Sequence, residues 1–113
     1  MRIENNHKEL RAAWVAALRS GEYKQGVNNL RTPDGEYCCL GVAGKIIGLS
    51  DDLLGDWTED EYPYDTIQQA FGLSDCLGAY AEGQLYSHND HDGLTFSQIA
   101  DIIDAEPEGL FID

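Results

Sequence analysis

Two histidines and two aspartates crowd into His88-Asn89-Asp90-His91-Asp92-Gly93, the densest group of potential metal ligands in the chain. Placing Gly93 at the glycine of a calcium-binding EF-hand loop sets Asp90 and Asp92 on ligand positions. The first ligand is then His88 and the closing bidentate glutamate is Ile99, so the loop fails at two decisive places. The segment reads as a polar turn leading into a helix, and no metal or cofactor is expected. Cys38-Cys39 falls where a helix would start, a position that lowers a thiol pKa. With His88 or His91 as base and Asn89 or Asp90 to orient it, a cysteine-dependent hydrolase or transferase is one reading. Buried structural thiols are the default for free cysteine, and no catalytic residue is assigned.

A basic and aromatic group offers binding chemistry instead. Arg19, Lys24 and Arg31 lie near Tyr23, Gln25 and Tyr37 in sequence, after Trp14. Guanidinium forks pair with phosphate, and aromatic faces stack on bases. A loop folded over the first helix would make these seven residues a concave site for a nucleotide-like anion. The opposing assignment puts Trp14 and the tyrosines in the core and the cations on carboxylates. A third surface is the acidic run that includes Asp56, Glu59, Asp60 and Glu61, suited to a basic protein partner.

The elements that would position these residues are legible in part. Leu10, Ala13, Trp14, Ala17 and Leu18 form one stripe of 3.6-residue period, with Asn6 and Glu9 at the start and Gly21 after the end. Arg11 and Arg19 sit off that stripe. Thr32-Pro33-Asp34-Gly35 is a turn sequence, across which Leu30-Arg31 and Glu36-Tyr37 would pair as a short hairpin. Residues 39–47 read as a second helix, with Gly41 and Gly44 on a flat side for close packing and Gly48 as its stop. Ser50 to Pro63 reads as irregular, then Asp65 to Phe71 as a short helix capped by Asp65 and closed by Gly72. Residues 74–87 stay ambiguous between packed loop, short strands and broken helix. Thr95 with Gln98 makes a capping-box pattern for a last helix ended by Pro107, and the tail after Gly109 either packs or frays. The expectation is a mostly helical α+β fold, a single domain over residues 1–113 with three to four helices and a short β-hairpin.

Composition limits the function classes. An apolar share of 42% with Trp 2, Tyr 6 and Phe 3 belongs to a folded globule. No apolar run is long enough to cross a bilayer, and the start of the chain lacks an apolar signal region. Three cysteines without an export signal suit reduced thiols in a cytoplasmic compartment. The net charge of −14 is unevenly spread. All seven cations lie in residues 1–45 beside five acids, whereas residues 46–113 hold sixteen acids and no Lys or Arg. That field opposes direct nucleic-acid binding, because phosphates would be repelled.

The run from Trp14 through Leu18-Arg19-Ser20-Gly21-Glu22-Tyr23-Lys24-Gln25-Gly26, then Leu30-Arg31, then Tyr37-Cys38-Cys39-Leu40-Gly41-Val42, resembles a group of small uncharacterised proteins of tailed phages and prophages. Asn89-Asp90 and Phe96-Ser97-Gln98-Ile99-Ala100-Asp101 match the way that group ends, while residues 50–87 are particular to this sequence. Many members place a further Cys-Asp after the Cys-Cys helix, where this chain has Gly44-Lys45. The resemblance implies the cytoplasm of an infected bacterial host and a non-enzymatic binder that counters host antiviral defence. Joined to the residues, it favours sequestration of a small nucleotide-derived immune signal at Trp14, Arg19, Tyr23, Lys24, Gln25, Arg31 and Tyr37. The alternative is an acidic inhibitor, nucleic-acid-like in charge, that binds a host defence protein directly through Asp56, Glu59, Asp60 and Glu61. Homo-oligomerisation is left open.

Overall fold

Six consecutive buried residues, Cys39 to Gly44, set the centre of the fold. A computed structural model describes residues 6–27, 30–50, 54 and 62–112. Among these the order is α1 (Asn6–Ser20), α2 (Cys39–Ile46), α3 (Tyr62–Phe71), β1 (Ala79–Tyr80), β2 (Gly83–Gln84), α4 (Leu85–Asp90) and α5 (Phe96–Ala105). The strands form an antiparallel pair, with Ala79 opposite Gln84 and Tyr80 opposite Gly83. The architecture is the expected small, mostly helical α+β fold. Its radius of gyration of 12.8 Å equals that of a compact domain of this length.

Helix α1 packs along α5 and also against α2 and α3. Its buried face is Arg11, Trp14, Val15 and Leu18, one position round from the predicted stripe. Ala13 is exposed, and Arg11, expected off the stripe, is only 4% exposed. Small alanines tolerate solvent, whereas Arg11 can be buried because its Nε donates to the Phe71 carbonyl at 2.8 Å and its guanidinium lies 3.7 Å from the Phe111 ring. Gly72 lets it through: a Cβ there would lie 2.6 Å from Arg11 Nη2.

Helix α2 is capped by Cys38, whose sulfur accepts from Gly41 N at 3.4 Å. The Trp14 indole donates to the Cys39 carbonyl at 2.9 Å, which ties α1 to the first turn of α2. Trp14 also packs on Phe71 of α3, ring centroids 4.8 Å apart. One core runs from Trp14 and Leu18 through Leu40 and Val42 to Ile67, Phe71, Leu85, Ile99 and Ile103.

Three expectations change. Helix α3 begins at Tyr62, so Asp65 lies in its first turn and not at its cap. Pro63 is tolerated there because its missing N–H would be unpaired in any first turn. The hairpin across Thr32–Gly35 is reduced to one antiparallel bridge, Arg31 with Tyr37, flanked by Thr32 N donating to the Glu36 carbonyl at 2.8 Å and Cys38 N to the Leu30 carbonyl at 3.2 Å, while Tyr37 also pairs in parallel with Gln25. The two-stranded pair lies instead within residues 74–87, followed by the short helix α4, which has no apolar stripe long enough to read.

The last helix matches its sequence signals. Gln98 N donates to Thr95 Oγ1 at 3.2 Å while Thr95 N donates to Gln98 Oε1 at 2.9 Å, a complete capping box. Glu106 ends it in the left-handed region with φ 48°. The tail is packed: Leu110 is fully buried, and Ser74 N and Ile112 N donate to the carbonyls of Leu110 and Gly72 at 3.0 and 2.8 Å.

Among the described glycines, Gly41 leaves the least room for a Cβ. A Cβ there would sit 1.9 Å from the Leu30 carbonyl oxygen, a backbone atom that cannot step aside. Gly41→Ala is expected to cost about 3 kcal/mol, the upper end for overpacking, measured as a lowered urea midpoint with unchanged m-value. Near-unchanged stability would show that the strand at Leu30 is free to move.

Candidate functional site

The basic and aromatic group expected to bind a ligand is divided by the fold. Trp14 is 0% exposed and belongs to the core, so its ring is not available for stacking on a ligand. Arg19, in the last turn of α1, faces α5, where Nη2 lies 2.6 Å from Asp101 and 3.8 Å from Asp104. Gln25 points inward: its amide donates to Asn89 Oδ1 at 2.9 Å and to the Leu94 carbonyl at 2.8 Å. Each of these three has a structural partner apart from the rest of the group. Burial took the indole, abundant carboxylate took the arginine, and a buried asparagine required the amide.

Four residues of the group do meet. Tyr23 and Tyr37 pack edge to face with centroids 5.5 Å apart, and the Arg31 guanidinium lies 6.0 Å from the Tyr37 ring. Lys24 stands next to them, its Nζ 3.5 Å from Glu36. The loop–turn layer brings them together through Tyr37 N, which donates to the Lys24 carbonyl at 2.7 Å, and Gly26 N, which donates back to the Tyr37 carbonyl at 2.8 Å. Asp56, Glu59, Asp60 and Glu61 lie outside the described residues.

The polar run at 88–92 does not converge on a cation. His88 Nδ1 is 2.7 Å from Asp92 Oδ2 and His88 Nε2 is 2.5 Å from the Tyr80 hydroxyl. His91 instead packs beside the Tyr86 ring. Asn89, 3% exposed, donates to the Gly26 carbonyl and to Asp90 Oδ1, both at 2.8 Å. Among the described residues no three His, Cys, Asp or Glu side chains gather as a metal-binding set.

The Tyr80–His88–Asp92 chain is a feature that sequence reading missed. In the tautomer with its proton on Nδ1, His88 donates to Asp92 and leaves Nε2 to accept the Tyr80 hydroxyl proton. Burial, followed by the charges of Glu82 and Asp92, raises the Tyr80 pKa. The i, i+4 spacing of His88 and Asp92 was visible, but nothing in sequence placed Tyr80 across a two-strand turn. Tyr80 also lines a depression of about 310 Å³ with Ala81, Glu82, Pro107 and Glu108. A second, of about 190 Å³, lies between α1 and α5 and includes Lys8, Arg11, Asp104 and Glu106.

The cysteine chemistry does not fit a nucleophile. Cys38 and Cys39 are buried in the core, and Cys76 is half-buried. Desolvation is the main cause that pushes the Cys38 thiol up to about 12, and it raises Cys39 well above its ordinary value too. The helix N-terminus at Cys38 does act through the Gly41 N–H, but it is outweighed by burial. Neither His88 nor His91 makes a hydrogen bond to either sulfur among the contacts seen; His88 is occupied by Tyr80 and Asp92.

A family model, described as a domain of unknown function, DUF8296, matches residues 6–72, more than half of the chain. The chain belongs to the DUF8296 family. The DUF8296 span runs from α1 to Gly72 and so contains the α1–α2–α3 core and the Tyr23–Tyr37 layer. The Tyr80 depression, α4 and α5 lie beyond it. No curated protein and no solved structure matches the chain. No helix among the described residues is long and apolar enough to cross a membrane.

Native protein treated with iodoacetamide at pH 8 should be labelled at Cys76 first, with Cys38 and Cys39 modified only on unfolding; rapid native labelling of Cys38 would revive a nucleophilic role. The raised thiols also predict alkaline lability. The unfolded chain releases these protons near pH 9 and the folded one near 12 for Cys38, so the folded state binds more protons in between and stability falls as pH rises. Cys38→Ser retains a capping oxygen without that titration. It should flatten the decline by up to about 1.4 kcal/mol per pH unit, read from urea unfolding between pH 9 and 11.

Proposed function

We propose that this chain is a non-enzymatic binding protein that docks a basic protein partner against its acidic half. In the phage setting that the sequence resemblance implies, the partner is a host defence protein and docking blocks it. What supports the reading is the charge on the described surface. Across residues 62–112 there is no Lys or Arg, and Glu82, Asp92, Asp101, Asp104, Glu106 and Glu108 are all exposed. Three of the cations already have partners: Arg19 pairs with Asp101 and Asp104, Lys24 with Glu36, and Arg11 lies within the core. A field of this sign speeds encounter with a basic partner and weakens with salt.

A second reading keeps a small nucleotide-derived signal as the ligand. The observation that favours it is the convergence of Tyr23, Lys24, Arg31 and Tyr37 on one layer. Trp14, Arg19 and Gln25 drop out of that site. It is therefore smaller than the one read from sequence.

Purified protein immobilised and exposed to host extract should retain a basic protein at 50 mM salt and release it by 500 mM. Reversing Glu82, Glu106 and Glu108 to Lys should weaken the isolated complex at least about tenfold. Unchanged affinity in the reversed variant would discard the acidic-surface reading. The second reading is checked by thermal shift with cyclic dinucleotides and ADP-ribose, where a ligand at a hundred times its Kd adds about 2.7 kcal/mol. A shift abolished by Arg31→Ala would support it; flat melting curves with both classes would not.

A further inference from the structure

The depression beside Tyr80 combines three features that share one chemistry. It is lined by Tyr80, Ala81, Glu82, Pro107 and Glu108, two acids and one aromatic residue with no basic residue among them. The two carboxylates ride on separate turns, the Ala81-Glu82 turn of the strand pair and the turn after Pro107. Ala81 N donates to the Glu108 carbonyl at 3.0 Å, and Leu110 N to the Pro107 carbonyl at 3.1 Å, so their spacing is fixed by backbone. Gly109 allows the approach, since a Cβ there would come 3.3 Å from Ala81 N.

The third feature is Tyr80 itself. Its hydroxyl lies 2.5 Å from His88 Nε2, and His88 Nδ1 lies 2.7 Å from Asp92 Oδ2. Gly83 opposite makes room for that imidazole; a Cβ there would lie 2.8 Å from His88 Nε2. With the His88 proton on Nδ1, the Tyr80 hydroxyl donates to Nε2 and the residue offers an incoming group only lone pairs and a π face. Both attract cations and neither donates. Tyr80, Glu82 and Glu108 thus form a set of acceptors with no competing donor among their side chains.

We propose that this depression is the anchor for an arginine side chain of the basic partner, with the guanidinium between the Glu82 and Glu108 carboxylates and against the Tyr80 ring. Arginine fits better than lysine because a planar, multi-donor cation can hydrogen-bond two carboxylates and stack on an aromatic face together. The volume of about 310 Å³ accepts a side chain and not a folded element. This inference rests on the acidic-surface reading and names the place on that surface where recognition is specific.

The test compares fluorescent nona-arginine and nona-lysine peptides by anisotropy at 150 mM salt. The wild-type protein should prefer nona-arginine by at least about threefold, the gain of a guanidinium–aromatic contact. Glu82→Gln with Glu108→Gln should erase that preference, and so should Tyr80→Leu. Removing two exposed charges elsewhere, Glu22→Gln with Asp34→Asn, should lower both affinities a little and keep the preference. The paired glutamine variant changes exposed residues only, so it reports even where Tyr80→Leu loosens the fold. Equal affinity for the two peptides, or a preference that survives the paired glutamine variant, would overturn the arginine anchor while leaving a diffuse acidic docking surface in place. Failure of the wild type to bind either peptide would overturn the anchor and the acidic-surface reading together.

Discussion

Helix α2 is eight residues long and buried from Cys39 to Gly44, and the rest of the molecule is arranged to make that possible. A helix this short is not held by its own hydrogen bonds in water, because nucleation costs more than two turns return. It persists because neighbours surround it. The Trp14 indole donates to the Cys39 carbonyl, Cys38 caps the Gly41 N–H, and the Leu30 backbone presses on Gly41. A second glycine, Gly44, admits the Leu54 side chain on another side. Each contact closes a different direction of approach. The two cysteines therefore serve as small packing residues, and the burial that makes them useful there removes them from chemistry.

The N-terminal part of the chain is joined to the C-terminal part by a polar seam. Gln25 and Gly26 leave the first loop and are met by Asn89 of α4, whose amide and carbonyl are both occupied by them. A buried side-chain amide without partners would cost roughly 1–3 kcal/mol, so these bonds fix the angle at which α4 sits on the core. That angle has a consequence one turn away. Asn89 points inward, so His88 points toward Tyr80 and Asp92, and the aromatic wall of the acidic depression takes its orientation from a buried amide on the other side of the same helix.

Charge segregation along the chain becomes a division of labour in space. The few cations are used inside or against carboxylates: Arg11 fastens Phe71 and Phe111, Arg19 joins α1 to α5, and Lys24 steadies the loop at Glu36. Asp75, Asp90 and Asp92 accept hydrogen bonds from Leu77 N, Asn89 and His88, whereas Glu82, Glu106 and Glu108 lie exposed.

The sequence by itself determined the local features whose causes are local. The capping box at Thr95 and Gln98, the end of α5 before Pro107, the turn at Thr32–Gly35 and the close-packed glycines of α2 all depend on residues within a few positions of each other, and all appear in the structure. So did the helical period of α1, though its buried face is turned by one residue, since an arginine with a carbonyl and an aromatic ring to meet can outcompete an alanine for burial. Tertiary structure alone decided which polar residues meet. Trp14, Arg19 and Gln25 were chemically suited to a ligand, but the core, α5 and Asn89 reached them first. Tyr80, Glu82 and Glu108 showed no pattern along the chain, because a tight two-strand turn and a packed tail bring them together across 28 positions of sequence. Side-chain chemistry is written in the residue, whereas its partner is set by the global packing that buries α2.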